Sequence, residues 1–195
     1  MKSFLDSAKW TRKPLHSTFD GQRLEVEAAE GSDFWQETHY GFKRDSGHAL
    51  LGPIEQTGSL EVTFKASFST LYDQAGLMLR MDESNWIKAG IEINDGIPHL
   101  AVVVTRTQSD WSLSAVPEWA DREVTVRASW SDDAVTIRAR CDNGTWNTLR
   151  LAPMTVGPST RAGLYVCSPE RKGLRVTFTD VRYGSADGDL HQQPL

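Results

Sequence analysis

The side chains best suited to chemistry in this chain stand two apart on either side of a polar turn. Residues 73–93 read DQAGLMLRMDESNWIKAGIEI, two alternating runs around Met81-Asp82-Glu83-Ser84-Asn85. Successive side chains of a strand point to opposite faces. One face carries Gln74, Gly76, Met78 and Arg80, then Trp86, Lys88, Gly90 and Glu92. An amide, two cations, a carboxylate and an indole suit a polyhydroxylated ligand, offering partners for hydroxyls and an aromatic face for C–H surface. If the turn closes a simple hairpin, Arg80 pairs with Trp86, Met78 with Lys88, Gly76 with Gly90 and Gln74 with Glu92. Residues two apart on one face are about 6–7 Å apart, so Lys88 and Glu92 bracket Gly90 at the scale of a sugar ring. The paired glycines leave a flat floor. Three further groups of candidates come from other stretches. Tyr165 and Cys167 share the non-core side of Arg161–Cys167, Trp35 and His39 share a parity and form a rim, and Asp110 and Trp111 stand in a loop over residues 108–113.

Catalysis asks for more than this. Glycoside hydrolysis uses two carboxylates about 5–5.5 Å apart for retention or 6.5–9.5 Å for inversion. Glu92 is followed on its face by Asn94, and no Glu-x-Asp-x-x-Glu pattern occurs. An enzyme would have to pair Glu92 with His39, Asp110 or Cys167 as acid–base partners. There is no Gly-x-Ser-x-Gly elbow. The five histidines are scattered without zinc spacing, no acidic loop announces calcium, and no metal or cofactor is expected. Asp45-Ser46-Gly47-His48 reads as a turn rather than as triad partners, and the lone thiol Cys167 reads as structural.

The elements that must hold these residues are strands. The face opposite Glu92 carries Ala75, Leu77, Leu79, Ile87, Ala89, Ile91 and Ile93, which is aliphatic and must be core. The polar face, by the same logic, has no reason to lie in one. Residues 58–68, 98–106, 123–130 and 134–141 alternate or run β-branched, and Asn94-Asp95-Gly96 and Asp142-Asn143-Gly144 are hairpin turns. The turn reading of Asn143-Gly144-Thr145 outweighs its formal match to a glycosylation acceptor. Residues 1–20 are an irregular arm anchored by Trp10, a strand covers 34–39, and the polar segment 184–195 is a frayed tail. About eleven or twelve short strands with Gly, Pro, Asn and Asp between them predict an all-β antiparallel sandwich or barrel. No linker or repeat divides residues 1–195, which read as one domain.

Bulk properties narrow the partners. A formal charge of −5 argues against nucleic acid. No stretch reaches the roughly 20 apolar residues of a membrane span, and the N-terminus lacks an apolar signal run. Two cysteines make no disulfide framework. A cytoplasmic protein is the expectation.

Five phrases in order carry a family resemblance: Asp33-Phe34-Trp35 with His39-Tyr40-Gly41; Asp73 to Arg80; Asn85 to Glu92; Val103-Val104-Thr105-Arg106 with Ser109-Asp110-Trp111-Ser112; and Ala162 to Pro169. Spanning residues 10–183, the chain resembles the concanavalin A-like family labelled "regulation of enolase", a domain of unknown function. The resemblance implies a jelly-roll β-sandwich of two antiparallel sheets, one concave, as in legume lectins and many glucanases. It implies little about activity, since fold does not give function. Together the residues and the resemblance favour a non-catalytic protein with a carbohydrate or other small polar ligand in the concave groove. The alternatives are a protein-interaction or regulatory module of central metabolism, which the family label alone motivates, and a carbohydrate-active enzyme.

Overall fold

A computed structural model describes residues 1–194. A short helix, α1 (Lys2–Ser7), precedes β1 (Lys9–Trp10), β2 (His16–Phe19), β3 (Leu24–Glu27), β4 (Phe34–Gln36), β5 (Lys43–Asp45) and β6 (His48–Pro53). Then come β7 (Gly58–Lys65), β8 (Gln74–Arg80), β9 (Asn85–Asn94), β10 (Ile97–Arg106) and β11 (Gln108–Ala115). A 3-10 turn, Pro117–Trp119, leads to β12 (Val124–Ser131), β13 (Ala134–Cys141), β14 (Asn147–Pro153), β15 (Arg161–Cys167) and β16 (Arg175–Gly184). Two seven-stranded sheets face each other, the first in the order β1-β6-β15-β8-β9-β10-β11 and the second β14-β13-β12-β7-β16-β3-β2. Every strand pairing in them is antiparallel. The expected jelly-roll sandwich is the fold of this chain.

The alternation read from the sequence explains the layer between the sheets. Ala75, Leu77, Leu79, Ile87, Ala89 and Ile91 from the first sheet meet Leu60, Val62, Phe64, Val126, Ile137 and Phe178 from the second. All are at most 2% exposed, and each large aliphatic or aromatic side chain so buried contributes about 1.5–3 kcal/mol. Ala162, Leu164 and Val166 of β15 join them.

Three local expectations need correction. Residues 108–113 are not a loop but part of β11, which pairs with β10 from His99↔Ala115 to Arg106↔Gln108. Its sequence, QSDWSLSA, is polar because it is an edge strand; the tight turn at Thr107 (φ 62°) and the β10 ladder form it, not its own propensity. Residues 1–20 are not irregular, and Phe4 of α1, 3% exposed, is the side chain they bury, with Trp10 only half-buried in β1. The tail is not frayed. Asp187 accepts hydrogen bonds from Arg127 (2.7 and 3.0 Å) and Arg138, and Arg138 also donates to the Leu190 carbonyl at 2.6 Å. Two arginines that face outward from β12 and β13, 8% and 2% exposed, thereby fasten the chain end across the second sheet.

Candidate functional site

The central hairpin has the register expected from its turn: Arg80↔Trp86, Met78↔Lys88, Gly76↔Gly90 and Gln74↔Glu92. β15 extends the same face on one side, with Tyr165↔Gly76 and Cys167↔Gln74, and β10 on the other, with Val103↔Lys88. The polar face of this sheet is nevertheless buried, against the expectation that it would lie open. Gln74, Lys88 and Glu92 are each 3% exposed, Met78, Trp86 and Cys167 0%. The cause is the small β4–β5 hairpin, which lies over this face and belongs to neither large sheet. Its Phe34 packs on Trp86 with ring centroids 6.2 Å apart, and Phe34 and Trp35 form a second, smaller core with Met78, Trp86, Val103, Tyr165 and Cys167.

The covering hairpin is tied down by polar contacts. Arg80 grips the Asp45 carboxylate with two hydrogen bonds of 2.6 and 3.0 Å and lies 5.7 Å over the Phe34 ring. Gln36 donates from its side chain to the Glu83 carbonyl at 3.0 Å and from its backbone to Ser109 Oγ at 3.0 Å. Partly buried charge-assisted pairs of this bidentate kind fix orientation as well as adding energy. Arg80, Trp86, Tyr165 and Cys167 therefore support the site from beneath rather than lining it. The glycine pair is no open floor either. A Cβ on Gly76 would stand 2.0 Å from the Ala89 carbonyl oxygen and 2.6 Å from Gly90 Cα, so glycine is there because the two strands approach closely.

Beside the hairpin, the face opens into a cavity of about 300 Å³. Gln74, Lys88 and Glu92 line its floor, and Asp33, from the turn before β4, joins them. Lys88 Nζ donates to Gln74 Oε1 at 2.8 Å and sits 3.4 Å from Asp33 Oδ1. Burial works against the Lys88 ammonium, but the charges of Asp33 above all, and of Glu92, outweigh it and hold its pKa above the ordinary value. For Glu92, burial dominates. It pushes the carboxyl up to about 7, with Lys88 opposing and Asp33 adding to the rise. Near neutral pH this carboxyl exists in both forms, so it can accept from or donate to a ligand hydroxyl. The Cys167 thiol is raised by burial and stays protonated, which removes it as a nucleophile.

The walls are aromatic. Trp35 and Trp111 meet edge to face at 90° and 6.3 Å. Tyr40 stacks on Phe42 at 5.2 Å and 15°, and the Arg44 guanidinium lies 4.8 Å over Phe42. Tyr72 closes the rim; the neighbouring Tyr40 hydroxyl, together with burial, raises its pKa to about 12. Backbone strain gathers here too. Glu37, His39 and Tyr72 have φ of 58°, 64° and 63°, a region that bulky residues seldom occupy outside functional or tightly held segments.

Of the residues predicted from sequence, Trp35, Gln74, Lys88, Glu92 and Trp111 come together at the cavity. β4 stops at Gln36, where the positive φ of Glu37 breaks the strand, so His39 lies exposed on the far side of the Trp35–Trp111 wall, lining a separate open groove. Asp110 lines that same groove and pairs with Arg150. Neither lines the cavity that holds Glu92. Asp33, Tyr40, Phe42, Tyr72 and Glu170 were missed, because they reach the floor only through chain segments that fold back over it. The adjacency of Asp33 to the aromatic pair Phe34-Trp35 is the one local signal that pointed to them.

The profile of a family described as "Protein of unknown function (DUF1349)" matches residues 10–186. "Regulation of enolase protein 1" of Saccharomyces cerevisiae is 39% identical over 176 residues, covering 90% of this chain and 88% of that protein. The crystal structure of a functionally unknown protein from Saccharomyces cerevisiae superposes with a TM-score of 0.89 at 37% identity, covering 94% of this chain and 99% of that one. Lectin I-B4 from Griffonia simplicifolia, in its metal-free form, shares the fold at 12% identity and a TM-score of 0.58, covering 92% and 93% of the two chains. Among the described residues, no helix is long and apolar enough to cross a membrane.

Proposed function

The chain belongs to this family of unknown function, and from that premise we propose that it is a binding protein whose cavity takes a small polar ligand of the carbohydrate type. One observation carries the reading. Three buried polar side chains on the paired strands β8 and β9, Gln74, Lys88 and Glu92, face a cavity walled by Trp35 and Trp111. A buried polar cluster costs stability unless each member is partnered, and it persists where function uses it. Aromatic walls over a hydrogen-bonding floor match the two kinds of surface a sugar presents. The cavity holds about one monosaccharide-sized ligand, at the small end of ligand pockets. Thermal shift against monosaccharides and oligosaccharides tests this. A ligand at 100 times its Kd adds about 2.7 kcal/mol, a rise in Tm of several degrees. Trp111→Ala is expected to abolish the shift. A folded protein that no sugar stabilises would overturn the reading.

The name of the yeast relative supports a second reading, a regulatory interaction with a metabolic enzyme. The two readings are compatible, because Tyr40 (48% exposed) and Phe42 (38% exposed) lie both on the cavity rim and on the surface. Sedimentation of the purified chain with and without enolase separates them: co-sedimentation supports regulation by contact, and independent boundaries exclude it.

A further inference from the structure

The cavity contains a charge that the protein does not match. Glu92 lines it, is 3% exposed, and forms no hydrogen bond or ion pair among the described residues. Lys88, four residues back along β9, is turned to Gln74 and Asp33. A buried carboxylate normally has partners, because leaving it bare forfeits its hydration without return. Counted over the whole lining, the carboxylates of Asp33, Glu92 and Glu170 outnumber the cations Arg44 and Lys88. Five aromatic rings surround this excess: Trp35, Tyr40, Phe42, Tyr72 and Trp111. Ring faces attract cations, and a carboxylate inside an aromatic enclosure is how organic ammonium groups are held. Beside Glu92, the Gln74 amide and the Lys88 ammonium line the same floor and can hydrogen-bond ligand hydroxyls.

Building on the binding role proposed above, we infer that the ligand is a hydroxylated organic cation, an amino sugar or amino alcohol, whose ammonium group pairs with Glu92 and whose hydroxyls meet the Gln74 and Lys88 side chains. A neutral sugar can hydrogen-bond Glu92 through a hydroxyl but brings no charge to match it. An ammonium group supplies the missing charge, and the aromatic walls cover its C–H surface. Burial that pushes the Glu92 carboxyl up to about 7 in the free protein fits this, because a bound cation favours the ionised form.

Isothermal titration at pH 7.5 with glucosamine, glucose and choline tests the inference, and the matched sugar pair needs no variant. Glucosamine is expected to bind roughly tenfold or more tightly than glucose, the span of one charge-assisted contact. Choline is expected to bind, and Glu92→Gln to remove the preference for glucosamine. Glucose binding as well as glucosamine, without choline, would overturn the ammonium inference while leaving the carbohydrate reading intact. Choline binding that Glu92→Gln abolishes, with neither sugar bound, would uphold the inference and overturn the carbohydrate reading. Binding of none of the three would overturn both, and a Glu92→Gln variant with unchanged preference would remove Glu92 from the account.

Discussion

Replacing Glu92 with Gln should stabilise this protein, and only above mildly acidic pH. The carboxyl rises from its ordinary 4.5 to about 7 on folding, chiefly through burial, with Lys88 lowering it and Asp33 raising it. Below pH 4.5 it is protonated folded and unfolded, and contributes no pH dependence. Between 4.5 and about 7 the folded chain keeps a proton that the unfolded chain releases, so stability falls as pH rises. Above 7 the full cost is present. At ~1.36 kcal/mol per pH unit, the rise corresponds to about 3 kcal/mol. Gln has nearly the shape of the protonated acid and never ionises, so it avoids this cost. Urea unfolding of both proteins from pH 5 to 8.5 reads the difference, and titrating groups that do not interact with Glu92 cancel in the comparison. The two should be nearly equal at pH 5 and diverge towards about 3 kcal/mol at pH 8, Gln the more stable. Curves that stay parallel across the range, within about 0.5 kcal/mol, would refute the claim that this carboxylate is buried and unmatched.

Two further outcomes test the frame around the cavity. Gly76→Ala places a Cβ 2.0 Å from the Ala89 carbonyl oxygen and should force β8 and β9 apart, costing about 3 kcal/mol or more in chemical unfolding. A loss under about 1 kcal/mol would mean that the close approach is not rigid. Asp187→Asn leaves Arg138, 2% exposed, without a counter-charge and should cost about 3–5 kcal/mol, read as a lower urea midpoint at unchanged m-value. Retained stability in that variant would mean that the chain end is not fastened to the second sheet.

The period-two pattern of residues 73–93 was enough to place both faces of the central hairpin and its register, because a one-residue slip would put Leu77 and Ile87 in water. What it could not carry was the cover. Nothing local to Met78 or Trp86 says that Phe34, more than forty residues earlier, will lie on them. The same face therefore reads as wet by alternation and turns out half core and half cavity. Parity failed at His39 for another reason: the strand ends at Gln36 through the positive φ of Glu37, and residue types do not announce that backbone state outside glycine. Asp187 was misjudged because a polar tail is normally solvated; the two arginines that hold it, outward on β12 and β13, read as an ordinary wet face.

The position of β16 has a consequence for how the chain comes to be folded. This last strand is not at an edge; it lies between β7 and β3 in the second sheet, pairing Val181 with Val62 and Val176 with Val26. Until residues 175–184 leave the ribosome, β7 and β3 have no common neighbour, and their ladder edges and apolar faces stand open. Closing the sheet joins residues more than a hundred positions apart, a high contact order of the kind that slows folding. Vectorial synthesis thus delivers the keystone of the second sheet after every other strand, and the edges of β7 and β3 that it joins stay unpaired with it until it arrives.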